Sequence, residues 1–172
     1  MIPRVKICCI GSPEEARTAI EMGAAALGLV SEMPSGPGVI SEEMIALIAS
    51  QTAPPTATFL LTARQTARGI PEQQRRCRTT TLQLVDHVPH SELATLRDAL
   101  PGIGIVQVIH VDKRDSVPVP VILAGGLTAE NVVAAIDAVQ PFGIDLCSGV
   151  RSEGRLDPFK LDAFMRAVGR GD

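Results

Sequence analysis

Short apolar runs alternate with capped, amphipathic stretches along most of the chain, and this rhythm predicts repeated strand–helix units. Val5 to Ile10 reads as a first strand. Ser12-Pro13-Glu14-Glu15 opens a helix: serine caps, proline fits the first turn, and the two acids meet the positive end of the helix dipole. That helix runs to about Met22 and stops at Gly23. Ala26 to Val30 is a second strand, followed by a Pro- and Gly-rich loop from Ser31 to Gly38. Ser41-Glu42-Glu43 starts a second helix, to about Ala49. Thr56 to Thr62 is a third strand, and Glu72 to Cys77 lies in a third helix. Thr80 to Val85 is a fourth strand. Ser91 caps a fourth helix that runs to Leu100, and Ile103 to Val111 is a fifth strand.

The rhythm then breaks. Asp112 to Ser116 leaves no room for a helix before Val117-Pro118-Val119-Pro120. Beyond it come a strand from Val119 to Leu123, a helix from Thr128 to Val139, a strand from Phe142 to Leu146 and a last helix from Asp157 to Val168. The tally is seven strands. An open doubly wound sheet accommodates such alternation.

Two of the strands end in glycine turns: Leu123-Ala124-Gly125-Gly126-Leu127, and Asp145-Leu146-Cys147-Ser148-Gly149-Val150. Glycine lets a backbone approach a ligand closely and adopt positive φ. A helix following such a turn adds free N–H groups and a positive dipole end, which suit a phosphate. In a (β/α)8 barrel the loops after the last two strands often hold phosphate. One such turn is also what an ordinary tight connection looks like; two about twenty residues apart favour a phosphate cradle.

Composition narrows the class. The 172 residues are 45% hydrophobic with no Trp or Tyr, as expected of a single α/β domain over residues 1–172 whose parallel strands are covered on both faces. The net charge of −3 gives no basic field for nucleic acid or an anionic membrane. Arg75, Arg76 and Arg78 read as a solvated helix end. No apolar run approaches a membrane span and no secretory leader is apparent, so the expected location is cytoplasmic. The four cysteines, Cys8, Cys9, Cys77 and Cys147, show no CxxC spacing and no nearby histidines, so no metal is expected and the thiols are read as reduced. Strand alternation would turn Cys8 inward and Cys9 outward beneath the helices.

Several segments resemble the phosphoribosylanthranilate isomerase family, (β/α)8 enzymes of tryptophan biosynthesis. They are Val5-Lys6-Ile7-Cys8, Glu21-Met22-Gly23-Ala24-Ala25-Ala26-Leu27-Gly28, Leu82-Gln83-Leu84, Leu123 to Val132, and Asp145 to Val150 with Gly154 and Asp157. The resemblance implies a TIM barrel with one βα unit, the sixth-strand region, missing. It implies an Amadori rearrangement of an aminoaldose phosphate, with a phosphorylated sugar as substrate, neither nucleic acid nor membrane as partner, and no cofactor. Carried over by residue, Cys8 is the base, Gly125, Gly126, Ser148 and Gly149 cradle phosphate, and Asp145 orients substrate. A thiolate serves as base if a charge or dipole depresses its pKa; a cysteine on an apolar strand is equally what a small buried hydrophobe looks like.

The chain departs from the family pattern at four places. Cys9 stands where the family has glycine. The loop Met33 to Val39 lacks the family's Arg. Val85 and Asp86 follow the Gln83-Leu84 pair in place of His-Gly. The sixth strand, which carries the family's acidic Asp, has no counterpart; Asp112 and Asp115 end the fifth strand and read as loop carboxylates. Either a unit is omitted between Ser116 and Val117, or this is a seven-unit relative. A phosphosugar-binding barrel without turnover is the alternative function. His110 ends the fifth strand and could face the pocket, while His87 and His90 fall in a surface loop.

Overall fold

The computed structural model describes residues 2–64, 66, 68–109 and 119–169. Seven strands, β1 (Arg4–Ile7), β2 (Ala26–Val30), β3 (Ala57–Thr62), β4 (Thr81–Leu84), β5 (Gly104–Gln107), β6 (Ile122–Ala124) and β7 (Gly143–Leu146), form one parallel sheet. Their spatial order is β5-β4-β3-β2-β1-β7-β6. The last strand therefore lies against the first, while β5 and β6, consecutive in the chain, occupy opposite edges. That is the order around a closed barrel cut once, and it replaces the open doubly wound sheet. The sheet is a curled half-barrel in which, among the described residues, no strand lies between β5 and β6.

Six helices cover it: α1 (Pro13–Glu21), α2 (Glu42–Gln51), α3 (Gly69–Cys77), α4 (His90–Ala99), α5 (Val132–Val139) and α6 (Pro158–Gly169). The first two begin as their sequences dictate. Ser12 Oγ accepts from the Glu15 amide at 3.3 Å, and Ser41 Oγ accepts from the Met44 amide at 3.2 Å. Two starts differ from expectation. α4 begins at His90 after Pro89, with Ser91 already inside its first turn. α5 begins at Val132, because Asn131 Oδ1 takes the Thr128 amide and ties residues 128–131 into a separate turn. Arg76, at the end of α3, pairs with Glu42 at the start of α2.

Apolar burial is divided by the sheet. The larger core, between strands and helices, holds Val5, Ile7, Leu27, Leu29, Leu60, Leu82, Ile144 and the apolar faces of the helices. A smaller inner cluster holds Cys8, Cys9, Ala26, Val30, Phe59 and Leu61. Its members on the edge strands, Val106 and Ile122, are only partly buried, and Ile109 and Val119 near the opening are 67% and 63% exposed. A sheet edge with apolar side chains left in solvent is what removal of one strand would leave. The Ser116–Val117 junction, His110, Asp112 and Asp115 lie outside the described residues. Among those described, no helix is long and apolar enough to cross a membrane.

Candidate active site

β1 and β7 run side by side with Lys6 opposite Asp145 and Ile7 opposite Leu146. Lys6 and Cys8 are two residues apart and so share a face. Gly28, on the neighbouring β2, makes room for both: a Cβ there would stand 2.9 Å from Cys8 Sγ and 2.9 Å from Lys6 Nζ. Lys6, 2% exposed, donates to Asp145 Oδ2 at 2.7 Å and lies 5.4 Å from the centre of the Phe59 ring. Burial pulls the Lys6 ammonium down, but Asp145 and Cys8 outweigh it and the net shift is upward, so the lysine is charged.

Cys8 sits just past the end of β1, its amide donating to the Leu146 carbonyl at 2.8 Å. Its thiol is held below the ordinary value. The hydrogen bond from Cys9 contributes most; burial opposes it; the charge of Lys6 adds to the lowering, while Asp145 and Cys147 oppose it. Cys9 does not point out beneath the helices as alternation predicts. Its φ of 61° is left-handed, the strand ends at Ile7, and both cysteines enter the inner cluster. The cysteine thus occupies, with some backbone strain, a conformation suited to the family's glycine. Gly38 clears space for it, and Arg151 Nη2 ties down the turn by donating to the Cys8 and Cys9 carbonyls.

The two glycine turns meet. Gly125 and Gly126 have φ of 106° and 60°, and Asn131 Nδ2 fastens their turn by donating to the Gly126 carbonyl at 2.8 Å. Gly149 follows Ser148 in a single turn of 3₁₀ helix, and a Cβ on it would overlap the Leu127 carbonyl oxygen. Only glycine allows this approach. A cavity of about 170 Å³ results, lined by Cys8, Ala124 to Leu127 and Asp145 to Gly149. All six sequence-predicted residues, Cys8, Gly125, Gly126, Asp145, Ser148 and Gly149, border it. The helix dipole anticipated behind the first turn is not adjacent, since α5 starts six residues after Gly126. Asp145 Oδ1 is buried beside the cavity without a hydrogen-bond partner among the described residues. Among the described residues no group of three His, Cys, Asp or Glu could hold a metal ion.

Sequence reading missed three contributors. Lys6 was legible as a lysine inside an apolar strand, two residues from Cys8. Cys147 and Arg151 carried no such signal, because the turn after β7 and the hairpin of β8 (Arg151–Ser152) and β9 (Arg155–Leu156) decide their positions. Arg151 also pairs with Glu15 of α1 at 3.2 Å, and Glu15 accepts from the Leu156 and Gly11 amides. This knits the segment after β1 to the one after β7.

Comparisons with known proteins agree with this geometry. Residues 105–167 match the family model described as N-(5'phosphoribosyl)anthranilate (PRA) isomerase. The N-(5'-phosphoribosyl)anthranilate isomerase of Moorella thermoacetica is 31% identical over 204 residues, covering 98% of this chain and 91% of that protein. That of Natronomonas pharaonis is 30% identical over 203 residues, covering 96% and 98%. The structure of the isomerase from Pyrococcus furiosus superposes with a TM-score of 0.87 at 25% identity, covering 97% of this chain and 98% of that one. An alignment of 204 positions that uses 98% of a 172-residue chain leaves about 35 positions of the Moorella protein without a partner. A strand–helix–strand unit takes about 30 or more residues, and no strand lies between β5 and β6 among the described residues.

Proposed function

This chain belongs to the N-(5'-phosphoribosyl)anthranilate isomerase family, and from that premise we propose that it catalyses the family's Amadori rearrangement in tryptophan biosynthesis. The substrate is N-(5-phosphoribosyl)anthranilate and the product is 1-(2-carboxyphenylamino)-1-deoxyribulose 5-phosphate. The observation that carries this reading is the single cavity shared by Cys8, Asp145 and the two glycine turns. In support, a similar fold (TM-score 0.86, 24% identity) binds reduced 1-(o-carboxyphenylamino)-1-deoxyribulose 5-phosphate.

In this mechanism the turn amides at Gly125, Gly126, Ser148 and Gly149 hold the phosphate. Oriented backbone donors make such concave turns anion sites. Asp145 turns its unpartnered Oδ1 to a substrate hydroxyl. Cys8, as thiolate, removes the proton from C2 of the ring-opened imine, and Lys6 stabilises the negative sulfur. The reaction moves protons within one carbon skeleton with no net oxidation, so side chains suffice for it. By resemblance, the acid that opens the ring is an Asp of a sixth strand that has no counterpart in this sequence, so no residue of this chain is assigned to that step.

The test is loss of anthranilate fluorescence on incubation of the chain with substrate, repeated with Cys8→Ser. Turnover that falls by at least about 10²-fold in the variant supports the assignment, since positioned proton transfer contributes at least that much. Tight substrate binding with no turnover in the wild type would overturn it.

A further inference from the structure

We propose that Cys9 and Cys147 form a reversible disulfide at the rim of the site, made by exchange with a small-molecule disulfide of the glutathione class. Their sulfurs lie 2.7 Å apart, inside non-bonded contact and a short step from the roughly 2.05 Å of an S–S bond. The placement has a structural cause. β1 and β7 are paired up to Ile7 and Leu146, so their continuations leave the sheet together. The left-handed backbone at Cys9 then swings its side chain across to Cys147 rather than under the helices. Arg151 fixes the Cys9 carbonyl, holding that geometry. All four cysteines are free thiols in the structure.

Cys147 is the entry point, because it borders the cavity and is partly exposed. Its thiol is pulled down to about 7: the hydrogen bond with Cys9 lowers it most, burial opposes, and Arg151 lowers it further. The Cys147 thiolate attacks one sulfur of glutathione disulfide, that S–S bond breaks, and one glutathione leaves as thiolate. The hydrogen bond with Cys147 holds the Cys9 thiol above its ordinary value; capping of Cys147 removes it, and the Cys9 proton passes to the departing thiolate. Cys9 sulfur then attacks Cys147 sulfur and expels the second glutathione as a thiolate, which takes its proton from water. Two protein thiols are oxidised and one external disulfide is reduced to two thiols.

Closure removes the hydrogen bond that does most to lower the Cys8 thiol, so oxidation raises that thiol and weakens the base. That consequence rests on Cys8 being the base; the disulfide itself does not. The experiment incubates the purified chain with oxidised glutathione at neutral pH, quenches free thiols by alkylation, and reads intact and peptide masses. The wild type is expected to lose two hydrogen masses, yield a Cys9–Cys147 cross-linked peptide and recover with dithiothreitol. Cys8→Ser still closes the bond. Cys9→Gly, whose left-handed backbone glycine adopts freely, stops at the Cys147–glutathione adduct, and Cys147→Ser forms no cross-link. Isomerisation falls at least about tenfold in the oxidised wild type and returns on reduction, in line with loss of a positioned base. An unchanged mass, a cross-link through Cys8, or the same mass loss in Cys9→Gly overturns the proposal. A disulfide in a chain that shows no isomerase activity when reduced leaves the proposal standing and overturns the functional reading instead.

Discussion

Lys6 Nζ stands 2.7 Å from Asp145 Oδ2 across the β1–β7 pair, directly behind Cys8. A buried lysine and a partly buried aspartate stand where the sheet would otherwise hold aliphatic side chains, and neither has a second ionic partner among the described residues. Such a pair is weak as a stabiliser in its own right, since desolvation offsets its attraction, but removing one member strands the other. Its position beneath the thiol gives it an electrostatic use.

Lys6→Met is therefore expected to destabilise the fold by about 3–5 kcal/mol, the usual loss when one partner of a buried pair is removed; a urea titration reads it. The same change removes the positive charge that favours the Cys8 thiolate. The pH midpoint for alkylation of Cys8 by iodoacetamide should move up, and the acid limb of kcat/KM with it. Asp145→Asn should move that alkylation midpoint down, because the carboxylate opposes the thiolate. Shifts of one sign in both variants would exclude this electrostatic role.

Gly28→Ala puts a methyl group 2.9 Å from both Cys8 Sγ and Lys6 Nζ and 3.0 Å from the Cys8 backbone. Overpacking of this kind costs about 1–3 kcal/mol. Because the methyl pushes on Cys8, the proposed base, kcat should fall more than stability does. Parallel urea melts and initial rates separate the two effects.

Gly149→Ala drives a methyl group into the Leu127 carbonyl and parts the two turns. The expected result is weaker binding of inorganic phosphate by calorimetry and a raised KM for substrate. Alkylation of Cys8 should be unaffected, since the change lies in the glycine turns proposed to hold phosphate.

Glu15 supplies the acid-side pH dependence. Burial works against its carboxylate, but the Leu156 amide, Arg151 and the Gly11 amide outweigh burial and hold the pKa below its ordinary 4.5. A carboxyl with a depressed folded pKa contributes stability above its unfolded value, and that contribution disappears as pH falls through the folded one. Glu15→Gln should thus be less stable than wild type at neutral pH, with the gap closing below about pH 4.5 as the wild-type carboxylate is protonated. Urea midpoints measured from neutral to acid pH check this.

Amino-acid order alone determined the strand–helix rhythm, the serine caps of α1 and α2, and the residues that border the cavity; the break read after Val111 lies outside the described residues. These are local matters: apolar runs, capping side chains and glycine turns act within a few residues of one another. The capping serine expected at Ser91 and the helix start at Thr128 failed for an equally local reason, as Pro89 and Asn131 compete for the same turns. Only the tertiary structure decided that the last strand lies against the first, that β5 and β6 are left as edges, and that Lys6 meets Asp145. It also turned Cys9 inward toward Cys147 against the strand's alternation, and brought Arg151 back to Glu15 and the Cys9 carbonyl. Apart from the two edges, each of these joins residues more than a hundred positions apart, and no periodicity in the chain records which distant element a curled sheet will bring alongside.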